Sequence, residues 1–201
     1  MKTCSCTCSH HRPTEILKAE HRVIERVLTA LERFAAQERI DADAVGRAID
    51  FLRNFADGCH HFKEENELFP RMQAAGVPRE GGPLGCMLDE HALGRALIRQ
   101  MGDHLAAAAR GDADAEHVLR TAAAGYVELL RNHIWKEDHV LFDLADRALS
   151  ADDQRALLGG FDRVEREEAD AGKHERYLRV AEELERQALQ MADRSRTGAR
   201  S

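Results

Sequence analysis

No stretch of the chain stays apolar over the roughly 20 residues that a helix needs to cross a bilayer. The N-terminal MKTCSCTCSHH also lacks the apolar core that marks a secretory leader. No membrane partner is expected, and the chain reads as cytoplasmic. Charge of one sign is missing as a block: 29 basic and 36 acidic residues are spread along the sequence for a net −7. Without a basic stripe, nucleic acid is excluded as a partner. Cysteine is sparse and poorly placed for a disulfide framework, since Cys4, Cys6 and Cys8 crowd one end and only Cys59 and Cys86 remain. Proline occurs four times and aromatics make up 5%. Strands favour aromatic and β-branched residues, so a β-rich core is excluded.

What remains is Ala, Leu, Glu and Arg, a helix-forming composition on 201 residues, enough for one domain with a sizeable core or a core with an appendage. Thr14, just after Pro13, is placed to cap a first helix with Leu17, His21, Ile24, Leu28, Leu31 and Ala35 along one face. Asp41 and Asp43 suit a second start, followed by Ile49, Leu52, Ala56, His60, Glu64 and Leu68 up to Pro70. After the loop GVPREGGPLG, a third stripe runs through Leu84, Leu88, His91, Gly94, Ile98, Met101 and Leu105 toward Gly111. A fourth carries Leu119, Ala122, Tyr126, Leu129, His133, Glu137, Val140 and Leu144. The expected fold is all-α: an antiparallel four-helix bundle over 14–149 with an additional helical element at 150–193. Residues 1–13 and 194–201 are expected to be flexible tails. The spaced thiols of CSCTCSHH would also suit a soft ion such as Cu(I) or zinc.

One pattern occurs twice. HHFKEENELF at 60–69 aligns without a gap to HIWKEDHVLF at 133–142, pairing His60 with His133, Lys63 with Lys136, Glu64 with Glu137, Glu65 with Asp138 and Phe69 with Phe142. Both segments point a histidine, and a glutamate four residues on, toward an apolar stripe; residues so spaced are neighbours on a helix. His21 and His91 occupy the stripes of the other two helices. Burying ionised carboxylates without a counter-charge costs several kcal/mol each, and bound cations remove that objection. Imidazole and carboxylate without thiolate suit iron, manganese or zinc, and bridging glutamates suit two ions roughly 3.5–4 Å apart. His61 and Glu65 repeat the spacing one residue later; the alignment through Leu68 and Phe69 favours His60 with Glu64 and leaves His61 and Glu65 outside the inner ligand set. Further candidates are His174, three residues before Tyr177 on the C-terminal stripe, and Tyr126, two turns before His133, as a hydrogen-bond donor to a bound oxygen.

His21, His60 with Glu64 and the Leu-Phe-Pro of 68–70, Glu90-His91, and His133 with Glu137 together resemble the hemerythrin-like, or HHE cation-binding, family over about residues 14–145. The resemblance implies a four-helix bundle holding two iron ions with an oxo or hydroxo bridge, histidines as terminal ligands and Glu64 and Glu137 as bridges. Its implied partners are peroxide, O2 or nitric oxide. Arg95 stands where oxygen carriers of the family have a second histidine on the third helix, and Glu137 follows its histidine by four residues where they have an aspartate at five. The expected histidine count is therefore four. The pattern is most similar to mycobacterial-type hemerythrin-like proteins, which implies peroxide breakdown and nitric oxide chemistry, with a catalase-like di-iron oxidoreductase as the favoured expectation. The alternative is a sensor of O2, redox state or iron, or an iron-storage or repair protein, without turnover.

Overall fold

The computed structural model describes residues 12–169 and 172–198. Six helices follow in order: α1 (Pro13–Ala35), α2 (residues 42–74), α3 (Pro83–Ala108), α4 (residues 113–148), α5 (Ala151–Ala169) and α6 (Lys173–Gly198). No strand occurs among the described residues, and none of the helices is long and apolar enough to cross a membrane. The expected Cys4, Cys6 and Cys8 thiol segment lies outside the described residues. α6 continues through residue 194, where a tail was expected to begin, as far as Gly198.

Local chemistry sets most helix starts. Pro13 occupies the first turn of α1, where its missing N–H is not needed. Thr14 does not cap that helix as expected; it sits inside the first turn and its hydroxyl donates to Asp146 of α4 at 3.0 Å. Asp41 caps α2 by accepting from the N–H groups of Asp43 and Ala44, and Asp112 caps α4 by accepting from Ala115. Gly111, at φ 86°, supplies the left-handed residue of the turn between α3 and α4.

α1 to α4 form the four-helix bundle, each packing on the next and α4 closing against α1. α6 lies across α1 and α2, while α5 contacts α1 and the second half of α2. Two apolar clusters fill the interior. The larger contains Leu28, Phe34, Phe51, Phe55 and Ile134 and takes in Tyr177, Ala181 and Leu184 of α6. The smaller contains Leu17, Leu68, Phe69, Leu84, Leu141 and Phe142, and takes in Leu157 and Phe161 of α5.

On all four bundle helices the change from one cluster to the other is interrupted by buried polar residues. His21 lies between Leu17 and Ile24, His60 to Glu64 between Phe55 and Leu68, His91 between Met87 and Ile98, and Glu137 between Ile134 and Leu141. A polar layer thus crosses the bundle between two apolar ones. At that layer α2 is π-helical over Leu52–His61 and Glu64–Leu68, and α4 over Glu137–Leu141. A π turn bonds i to i+5 and is wider than an α turn, so it shifts which residues face inward.

Leu184 is fully buried on α6. Leu184→Ala is expected to lower stability by about 2–5 kcal/mol, as for other leucines truncated in a packed core. Urea unfolding measures this, and an unchanged midpoint would show that α6 contributes nothing to the core.

Candidate metal centre

The polar layer gathers five imidazoles and two carboxylates: His21 from α1, His60, His61 and Glu64 from α2, His91 from α3, and His133 and Glu137 from α4, all buried. They fall into two groups, His61/Glu64/His91/His133 and His21/His60/Glu64/Glu137, and within each group one donor atom per residue lies within 4.8 Å of the others. Glu64 belongs to both. Its Oε1 is 3.3 Å from His60 Nε2 and its Oε2 is 3.5 Å from His91 Nε2. Glu137 also spans the groups, with Oε2 3.2 Å from both His21 Nε2 and His133 Nε2.

Each imidazole is turned by a carboxylate behind it. Nδ1 lies 2.7 Å from Asp138 in His21, 2.9 Å from Glu20 in His60, 3.3 Å from Asp57 in His61, 2.7 Å from Glu65 in His91 and 2.8 Å from Glu90 in His133. An ionised carboxylate only accepts, so Nδ1 carries the proton and Nε2 is left to face the centre. Cations in turn hold these outer carboxylates. Lys63 donates to Glu20 at 2.5 Å, Lys136 to Glu90 and Arg22 to Asp138, while Arg95 donates to Asp57 at 2.8 Å and to Glu65 at 3.0 Å.

This arrangement explains the repeat. Equivalent residues do equivalent work: His60 and His133 face the centre, Lys63 and Lys136 hold the glutamate behind each, Glu64 and Glu137 span the groups, and Glu65 and Asp138 orient the imidazoles of His91 and His21. The Glu20-His21 and Glu90-His91 dipeptides of α1 and α3 complete the relation, each glutamate serving an imidazole of the following helix. An approximate two-fold therefore exchanges α1 with α3 and α2 with α4. It breaks at His61, whose aligned counterpart is Ile134.

His61 changes the expected count from four imidazoles to five. The two registers weighed for this segment are not exclusive, because the π-helical backbone buries His60 and His61 together. Glu65 lies outside the centre, as expected, behind His91. His174 does not join either group and lies instead with Glu20 and Cys59. Tyr177 is also elsewhere, its hydroxyl donating to Asp50 at 3.1 Å. Tyr126 is buried on α4, and its hydroxyl has no hydrogen-bond partner among the described residues. Glu20, Asp57 and Glu90 were missed as orienting groups. The repeated Glu-His dipeptide was the available signal for Glu20 and Glu90, and the four-residue step from Asp57 to His61 was the signal for Asp57.

Burial raises the energy of any charge in this layer, and the groups respond to one another. Burial opposes protonation of His60, but Glu64 and Glu20 outweigh it and push the imidazole up to about 10. His133 is pushed up to about 10 in the same way by Glu137 and Glu90. His61 goes the other way, held well below its usual value by burial and by His91 and His133. Even so, Nε2 of His21 and of His60 and both oxygens of Glu64 and Glu137 lack a hydrogen-bond partner among the described residues. His91 Nε2 and His133 Nε2 lie 3.0 Å apart with their Nδ1 protons committed outward, so a proton or a cation must lie between them. Orphaned buried donors around a common centre, imidazole and carboxylate in kind, fit one or two borderline transition metals.

Comparison with known proteins agrees. The sequence model of the hemerythrin HHE cation binding domain matches residues 12–145. Uncharacterized proteins of Mycobacterium bovis and Mycobacterium tuberculosis are 27% identical to this chain over 152 residues, 74% of its length. The matched region spans 59% of each of these curated relatives.

The outer carboxylates make the metal-free protein sensitive to acid. Burial would raise Glu20 and Glu90, but His60 with Lys63, and His133 with Lys136, hold each down to about 2, against an ordinary 4.5. A carboxylate depressed in the folded state stabilises the fold above its unfolded pKa, and that stability is lost as pH falls toward the folded value. Metal-free protein should therefore lose stability between about pH 4.5 and 2, and Glu90→Gln should flatten that loss. Chemical denaturation across the range measures it; identical slopes for the two proteins would contradict the assignment.

Proposed function

Since the chain belongs to the hemerythrin HHE cation-binding domain family, we propose that its seven inward-facing donors hold a pair of irons and that the protein processes a small oxidant, with peroxide breakdown as the favoured reaction. The observation carrying this reading is that all five imidazoles are held by carboxylates at Nδ1 while Glu64 and Glu137 each reach both donor groups. One ion would rest on His61, His91 and His133, and the other on His21 and His60, with Glu64 and Glu137 spanning both. Manganese or zinc would suit the same donors, and iron is favoured because its redox change serves an oxidant. When bound, the pair supplies Lewis acidity and electrons to peroxide, O2 or nitric oxide.

The chain's own residues set the terms. The two apolar clusters exclude bulk water from the layer and admit only a small partner. The carboxylates behind the imidazoles keep a proton at Nδ1, so Nε2 is the nitrogen that ligates once any proton on it has left. The His21/His60 side has one imidazole fewer, with Ile134 at the position equivalent to His61, and that side is the proposed place for the oxidant. Ligand protons leave as metal enters: loading at pH 8 displaces protons from His60 and His133, both of which hold them to about 10 in the metal-free protein.

One observation favours the second reading, a sensor or iron store without turnover. Lys63, fully buried, joins Glu20 behind His60 to Glu165 of α5 at 2.8 Å. That chain of contacts would carry the state of the centre to the C-terminal helices. Repeated O2 evolution from peroxide supports the enzyme; a single stoichiometric oxidation supports the sensor.

Protein expressed with ample iron is expected to contain about two irons per chain, and chelation is expected to lower its melting temperature because metal binds the folded state alone. Fewer than one transition metal per chain, or equal melting with and without metal, would overturn the di-iron reading. His60→Ala and His61→Ala should each bind less than the full complement, one from each donor group. A His61→Ala protein that keeps both irons would move His61 out of the ligand set. Proton release on loading, followed in weak buffer at pH 8, should vanish if these imidazoles are not displaced ligands.

A further inference from the structure

Five carboxylates stand behind the five imidazoles, and among the described residues four cations hold them. Glu20, Glu90 and Asp138 each have a cation of their own, Lys63, Lys136 and Arg22 in turn. Asp57 and Glu65 share one. A single nitrogen of Arg95, Nη1, donates to Asp57 Oδ1 at 2.8 Å and to Glu65 Oε1 at 3.0 Å. The same two oxygens face His61 Nδ1 at 3.3 Å and His91 Nδ1 at 2.7 Å. Those two rings are stacked, with centroids 3.9 Å apart and planes 16° from parallel, and both belong to the His61/Glu64/His91/His133 group. In the other group His21 and His60 depend on separate cations, Arg22 and Lys63. By the match of Glu90-His91 to Glu20-His21, position 95 falls on Glu25, an acid, so this clamp lies outside the approximate two-fold.

We propose that Arg95 is a positioning residue for the ion on the His61/His91/His133 side, acting on two of its three imidazoles at once. This rests on the reading of the polar layer as a two-metal centre. Asp57 and Glu65 both lie within 3.0 Å of one guanidinium nitrogen, so without that charge two like charges repel at close range and separate. Each carboxylate that moves draws its Nδ1–H with it. The rings lie face to face, so neither turns without displacing the other. Two ligands lose their aim together, while His21 and His60 keep theirs. The rival role is an ordinary ion pair at the surface, since Arg95 is 33% exposed. Such pairs contribute little to stability, and one without influence on the imidazoles would leave the affinity for metal unchanged.

The test titrates Fe(II), without oxygen, into the full chain against a competing chelator, which gives one dissociation constant for each ion. Arg95→Gln should weaken one constant by about 10–100-fold, the loss typical of groups that orient a metal's ligands, and leave the other in place. Arg22→Ala, which frees Asp138 behind His21, should weaken the other constant, and the two substitutions combined should weaken both. Because both contacts of Arg95 come from one nitrogen, a lysine ammonium can replace them where a neutral amide cannot, so Arg95→Lys should bind more tightly than Arg95→Gln. Helicity is compared throughout; if Arg95→Gln perturbs the bundle, Glu65→Gln, which removes the arm behind His91, takes its place and should weaken the same constant. In metal-free protein, nitrogen-resolved NMR follows the Nδ1–H protons: Arg95→Gln should speed exchange with water at His61 and His91 and not at His60. Unchanged constants, equal weakening of both, or no recovery in Arg95→Lys would overturn the proposal. A wild-type chain that takes up no pair of ions would overturn the iron reading instead, and the metal-free exchange rates would still decide whether Arg95 positions these rings.

Discussion

Two carboxylates, Glu64 and Glu137, lie at the middle of the bundle with no water-accessible surface and, among the described residues, no hydrogen bond to any of their four oxygens. An ion so placed is worth several kcal/mol of destabilisation unless compensating charge surrounds it. Much of the surrounding structure answers that demand. Imidazoles ring the carboxylates, other carboxylates ring the imidazoles, and Arg22, Lys63, Arg95 and Lys136 ring those in turn. Charge alternates in sign outward from the centre, so no group within the layer is without an opposite neighbour. Only the innermost place lacks one, and it is the place where a cation fits.

The same demand explains a departure from ideal helix geometry. π turns are rare and are frequently found at functional sites. Here they occur in α2 and α4, the two helices that each contribute a spanning glutamate. In α2 the widening lets two consecutive histidines turn inward, which an α-helix, stepping 100° per residue, would place on diverging faces. The bundle gives up local regularity to fit seven donors from four helices into one layer.

The fold was largely legible because its signals are local. Apolar stripes at helical spacing marked the four bundle helices, and Asp41 and the Gly111–Asp112 turn behaved as their chemistry suggests. The repeat likewise disclosed the spanning glutamates, since one helix's spacing carried the information. His61 escaped because the expectation assumed α geometry at the place where the backbone leaves it. Thr14 lies two residues past the cap position, and its hydroxyl donates to the Asp146 carboxylate of another helix in place of capping. Glu20, Asp57 and Glu90 act on partners that only folding brings near, and His174 went to a different cluster because α6 crosses the bundle at a level that periodicity cannot fix.

Among the donor positions of the polar layer the matched halves of the bundle differ at His61 against Ile134, and inequality of this kind imposes an order of events. On the proposed ligand set, the half with three imidazoles holds its ion more firmly than the half with two. Under scarcity the chain would fill on the α3 side first, and under chelation it would empty on the α1 side first. A half-loaded molecule would then be a defined species with its ion in a known place, rather than an equal mixture of two, and its remaining vacancy would lie next to Glu20, Lys63 and the C-terminal helices they touch.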